Sequence, residues 1–113
     1  MQYKFRATLS FLKETKRLGK RYRSLYDDIE NLRNEILANP ATGTDLGDGL
    51  RKIRMQVTSK GKGKSGGERV ITFTVIASVD ETNVYLLFIY DKSERSNITK
   101  TELKNLMKDE HLL

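Results

Sequence analysis

The sequence predicts an α+β domain: an N-terminal strand and a helical hairpin packed on an antiparallel sheet, in the order β-α-α-β-β-β-α. Three observations predict it. Residues 3 to 9 alternate between apolar and polar side chains, the period of a half-buried strand. Residues 10 to 39 switch to helical spacing, with one break near Gly19. From Leu50 onward the chain returns to short β-branched and aromatic runs joined by hairpin-length links, and Thr99 opens a last helix. A length of 113 residues fits one domain spanning the chain, with no internal repeat.

In the first strand Tyr3, Phe5, Ala7 and Leu9 share one face, and Lys4, Arg6 and Thr8 the other. Ser10 is the expected cap of a short helix with Phe11, Leu12 and Leu18 on its apolar side, and Gly19 its expected end. Ser24 starts the second helix. There Leu25, Ile29, Leu32, Ile36 and Leu37 keep the 3.6-residue period, and Asp27 and Asp28 occupy the first turn, where the helix dipole favours them. Asn39-Pro40 closes it, because a residue before proline resists the helical region.

Residues 41 to 50, with three glycines, read as a turn-rich loop. Three strands are expected after it, over 50–57, 69–78 and 84–90. The last two are rich in β-branched and aromatic residues and read as central strands, with residues 80–83 as the hairpin between them. Thr99-Lys-Thr-Glu102 has capping-box spacing, and Leu103, Leu106 and Met107 form the apolar side of the final helix.

The charge is concentrated. The chain carries a net +6, and residues 51 to 69, with seven Lys or Arg against the single acid Glu68, account for all of it. A short, glycine-loosened basic segment in an otherwise neutral chain points to a polyanion, with nucleic acid the commonest. A second basic stretch, Lys13 to Arg23, reads either as a solvated helix face or as an extra contact to ribosomal RNA. The absence of Cys removes disulfides, thiolate metal sites and Cys nucleophiles. The longest apolar run, Val84 to Tyr90, is too short to span a bilayer, and Met1 to Arg6 holds no signal-peptide core, so a cytoplasmic protein without membrane contact is expected.

The loop Ser59-Lys-Gly-Lys-Gly-Lys-Ser-Gly-Gly67 has a superficial likeness to a phosphate-binding P-loop. Its spacing and its flanks exclude that reading. It reads either as a solvated hairpin tip or as a phosphate-gripping loop in which Arg51, Lys60, Lys62 and Lys64 contact RNA. Cations on both flanks favour the second reading. Alternation places Lys52 and Arg54 on one strand face, opposite Ile53 and Met55. Arg69 follows the loop, and Tyr90 and Lys92 end the neighbouring strand, where the tyrosine is a candidate to stack on a base. His111, the only histidine, excludes a ribonuclease built on a histidine pair, and no metal or cofactor motif is present.

With these blocks in order, the chain resembles the RelE/ParE toxin superfamily of type II toxin–antitoxin systems, and most closely its RelE/HigB branch. The matching blocks are the hairpin ending in Leu37-Ala-Asn-Pro40, Gly49-Leu-Arg-Lys-Ile-Arg54, the Lys-Gly loop with Arg69-Val-Ile, and Tyr85-Leu-Leu-Phe-Ile-Tyr-Asp-Lys-Ser-Glu94. The resemblance implies a RelE-like fold and a toxin that enters the ribosome, cuts mRNA without a metal and is neutralised by a cognate antitoxin. It implies attack of a 2′-hydroxyl on the adjacent phosphate. By position, Lys52 and Arg54 match the family's basic strand pair, Arg69 the arginine after the hairpin loop, and Lys92 the strand-end cation. Arg69 is then the expected transition-state stabiliser, and Lys92 or a loop lysine the general acid. The last helix carries no aromatic residue, a departure that shifts weight to Tyr90. The alternatives are a ParE-like gyrase inhibitor and a non-catalytic nucleic-acid-binding module.

Overall fold

A computed structural model describes residues 2–113. Its elements run β1 (Gln2–Ala7), α1 (Leu9–Arg21), α2 (Leu25–Ala38), β2 (Thr44–Gly47), β3 (Leu50–Met55), β4 (Glu68–Ile76), β5 (Glu81–Asp91) and α3 (Lys100–Asp109), with a 3-10 turn at Thr58–Lys60. The expected α+β architecture is present. The five strands form one sheet in the order β1-β5-β4-β3-β2. Pairing is antiparallel except at β1, which lies parallel to β5.

Each face of the sheet carries its own core. On one side Phe11, Leu18, Leu25, Leu32 and Ile36 of α1 and α2 pack on Ile53, Met55, Val70, Leu86 and Ile89. On the other, Leu103 and Met107 of α3 pack with Ile98 on Leu50, Ile71, Leu87 and Tyr90. A central strand with both faces covered should read as a continuous apolar run, and Val84 to Tyr90 does. A bulge in β5 shifts the register between Ile71 and Thr72, so that Ile71 pairs with Phe88 and Thr72 with Leu86, leaving Leu87 over. Leu87 and Phe88 consequently both serve the α3 core.

Several boundaries differ from the sequence expectations, each for a tertiary reason. The first strand stops at Ala7, and Thr8 rather than Ser10 caps α1, its hydroxyl accepting from the Phe11 N–H at 3.1 Å and donating to the Leu87 carbonyl at 2.8 Å. The Ser10 N–H goes instead to the Glu110 carboxylate at 2.7 Å, an acid supplied from beyond α3. Gly19 does not end α1. It lies within the helix, and what it provides is room for Tyr26 of α2, which crosses 2.9 Å from where a Cβ would stand. The loop over 41–50 contains a strand, β2, which pairs with β3. Ser24 does precede α2, but its hydroxyl makes no helix cap; it donates to Asp28 and accepts from the Ser59 N–H, tying α2 to the basic segment. The final helix starts as expected, with both halves of the Thr99–Glu102 capping box formed. It lies on the face opposite the helical hairpin.

Candidate functional site

The site is built from strand register. Arg54 of β3 lies opposite Arg69 of β4, and Arg69 lies opposite Tyr90 of β5. Alternation puts these three side chains, with Lys52 two residues along from Arg54, on the face shared with α3. Like charges directly opposite one another destabilise a sheet. A row of two arginines is therefore not what folding alone would select.

The members of the row are not equally available. Arg54 is exposed and makes no hydrogen bond or ion pair. Arg69 is 4 % exposed and donates to the Lys64 carbonyl at 3.2 Å and the Ser65 carbonyl at 3.1 Å, so it holds the far side of the basic loop. Tyr90 is 3 % exposed, with its hydroxyl buried and unpartnered. Burial pushes its pKa up, against the pull of Arg69 and Arg95. Lys52 is half-buried, with its ammonium 3.5 Å from the Asn97 side chain.

Arg95 belongs to this group and was missed in the sequence. Its guanidinium sits 5.7 Å over the Tyr90 ring, its Nε donates to the Asn97 carbonyl at 3.0 Å, and it pairs with Glu102 in the first turn of α3. It covers the tyrosine face that the sequence reading offered to a base, so base stacking on Tyr90 requires Arg95 to move. The only sequence signal was a cation placed shortly after the strand that ends in Tyr90.

The other expected RNA-binding residues separate. Arg51 faces away, toward the hairpin side, and its guanidinium serves the carbonyls of Ala41, Thr42 and Gly43. Lys60 is not a surface cation of the loop. Its side chain is 8 % exposed and its ammonium lies 2.7 Å from Asp91 and 4.8 Å over the Tyr22 ring. Lys64 pairs with Glu35 of α2 at 3.1 Å. Lys62 and Lys92 are exposed and unpaired, and they line one hollow with Arg21, Tyr22 and Lys60. Lys92 thus sits with the loop rather than with the arginine row.

Beneath the loop lies a buried polar cluster. Asp91 accepts from Lys60, from the Tyr22 hydroxyl at 2.6 Å and from Ser93. Burial alone would raise the Asp91 pKa, but these donors outweigh it and hold the carboxyl well below the usual range. Burial likewise works against the Lys60 ammonium, and the Asp91 and Glu68 carboxylates overcome it, raising its pKa. Among the described residues, no group of three or more His, Cys, Asp or Glu side chains is arranged to hold a metal ion.

A family model described as the RelE toxin of the RelE / RelB toxin-antitoxin system matches residues 8–111. The chain belongs to the RelE toxin family. The match covers all the elements described above except β1, including the arginine row and the basic loop. Membership in the RelE family makes the chain a toxin of a toxin–antitoxin pair and implies an antitoxin as partner. No helix among the described residues is long and apolar enough to cross a membrane.

Proposed function

We propose that this RelE-family toxin is a ribosome-dependent endoribonuclease of the HigB branch, cleaving mRNA by metal-independent attack of a 2′-hydroxyl on the neighbouring phosphate. The observation that carries this reading is the Arg54–Arg69–Tyr90 row, a like-charge cross-strand arrangement in which Arg54 is left exposed and unpaired, open to an anion. In-line attack places extra negative charge on the phosphoryl oxygens. Arg54, exposed and unpaired, is the cation that meets them, and Arg69 adds positive potential from below while fixing the loop. The attack breaks the P–O5′ bond, leaving a 2′,3′-cyclic phosphate and a 5′-hydroxyl. The attacking 2′-hydroxyl gives its proton to a general base and the leaving oxygen takes one from a general acid, for which Lys92 and Lys62 are the unpaired candidates and Lys52 the amine on the same strand face as Arg54. Lys62 and Lys64 carry the flanking phosphates, a contact whose strength falls with salt.

The test is inducible expression in a bacterium followed by primer extension on a reporter mRNA. The proposal expects growth arrest with new 5′ ends inside translated codons. Arrest without mRNA cleavage would replace it with a gyrase-directed toxin of the ParE kind, and the absence of both would leave a nucleic-acid-binding module in a cytoplasmic setting.

A further inference from the structure

Glu68 is the one acid in the basic segment, and its position is unusual. It is fully buried, and neither carboxylate oxygen has a hydrogen-bond partner. Its register partner on β5 is Asp91, also fully buried, and its partner on β3 is the apolar Met55. The nearest cation is Lys60, at 3.7 Å, already engaged by Asp91 at 2.7 Å. The remaining charges around it do not compensate. Glu94 lies beyond the end of β5 and is itself paired with Arg17 and Arg21 of α1, and Tyr22 is a neutral donor to Asp91. With both carboxyls ionised, the cluster would hold two negative charges against one ammonium, in a place where a buried carboxylate without donors is strongly disfavoured.

The cluster is also the root of the basic loop. Lys60 leads into it and Glu68 leaves it, and Lys60 bridges the two ends by donating to the Gly66 carbonyl at 3.1 Å. Lys60 is the ammonium closest to Glu68 and also holds the Gly66 carbonyl, so relief of an ionised Glu68, by water entry or by turning outward, is coupled to residues 61–67 through Lys60. We propose that Glu68 carries a proton in the closed protein, and that its ionisation releases the loop bearing Lys62 and Lys64, making the loop a pH-sensitive latch. Burial first, and then the neighbouring Asp91 charge, push the Glu68 carboxyl up to about 7. The device would act near neutrality, closed on the acid side and open on the alkaline side. It rests on the geometry of the cluster and stands whether or not the chain cuts RNA.

The experiment is an NMR titration of the full chain from pH 4 to 9, following the side-chain carboxyl carbon of Glu68 and the amides of Gly61, Gly63, Gly66 and Gly67. An H111Q background removes the single histidine. The expected result is a Glu68 midpoint above 6, with the glycine amides moving at the same midpoint and losing order on the alkaline side. E68Q should abolish the amide titration with the loop in its closed position. A Glu68 midpoint near an ordinary glutamate value, or loop amides indifferent to its titration, would overturn the proposal. Both readings come from the wild-type loop, so they stand even if E68Q folds poorly.

Discussion

Arg54 and Arg69 stand directly opposite each other on β3 and β4, yet only Arg54 has a free guanidinium. Arg69 bends to two loop carbonyls, which moves its charge beneath the loop and leaves Arg54 as the solvent-facing cation. The two arginines therefore differ in what their removal should do.

Arg54→Ala is expected to abolish growth arrest with little effect on stability, within about 0.5 kcal/mol of wild type, because an exposed side chain with no partner is lost along with a like-charge opposition. Arg69→Ala should abolish arrest and also destabilise the fold by about 1–3 kcal/mol, through the loss of charge-assisted hydrogen bonds to Lys64 and Ser65. Urea unfolding beside a toxicity assay distinguishes them. Full toxicity of a well-expressed Arg54→Ala chain would remove Arg54 from the site.

Lysines of one loop should fall into two classes. Lys60→Met leaves Asp91 buried without its cation and should destabilise by about 3 kcal/mol or more. Lys62→Ala should leave stability unchanged and lower the salt slope of ribosome or RNA binding by about 0.7, the value for one phosphate contact on a single strand. Equal effects of the two substitutions on stability would contradict the assignment.

Asp91 gives a second pH signature, opposite in sign to that of Glu68. Its pKa is lowered in the folded chain, so the stability it contributes is fully present above the ordinary aspartate value of 3.8 and is lost as pH falls below it toward the folded-state value. The stability gap between wild type and Asp91→Asn should be largest above pH 4 and shrink on acidification. Denaturant midpoints measured from pH 2 to 6 check this, and a gap that grew in acid would refute it.

Gly67 is needed for the approach of β4 to β3. A Cβ there would stand 2.0 Å from the Met55 carbonyl oxygen, so Gly67→Ala must push the strands apart where the loop is rooted. A loss of about 2–3 kcal/mol is expected, on the scale of an overpacked core site. Gly63→Ala meets no atom within 4 Å, and only its left-handed backbone (φ 64°) resists, at about 1–2 kcal/mol. Thermal melts of the two variants should rank them in that order.

Most of the fold was legible because its signals are local. The alternation in β1, the Asn39-Pro40 stop and the Thr99–Glu102 box each act within a few residues. The parallel pairing of β1 with β5 and the placement of α3 on the second face were not legible, because they join distant parts of the chain. The short β2 lay hidden in a glycine-rich segment, where the pairing of Thr44 with Lys52 outweighs composition.

Periodicity and composition alone gave the place of every element but β2, the local concentration of positive charge, and the cations that share a strand face. Which of those cations are free depends on contacts between distant parts of the chain. Arg51 is tied to the 41–43 turn, Lys60 to Asp91 and Arg69 to the loop carbonyls, while Arg54, Lys62 and Lys92 remain open. The physical reason is that periodicity sets the direction of a side chain, whereas its charge is neutralised by whatever distant group the fold brings within hydrogen-bond reach, as Asp91 is brought to Lys60 from the far end of β5.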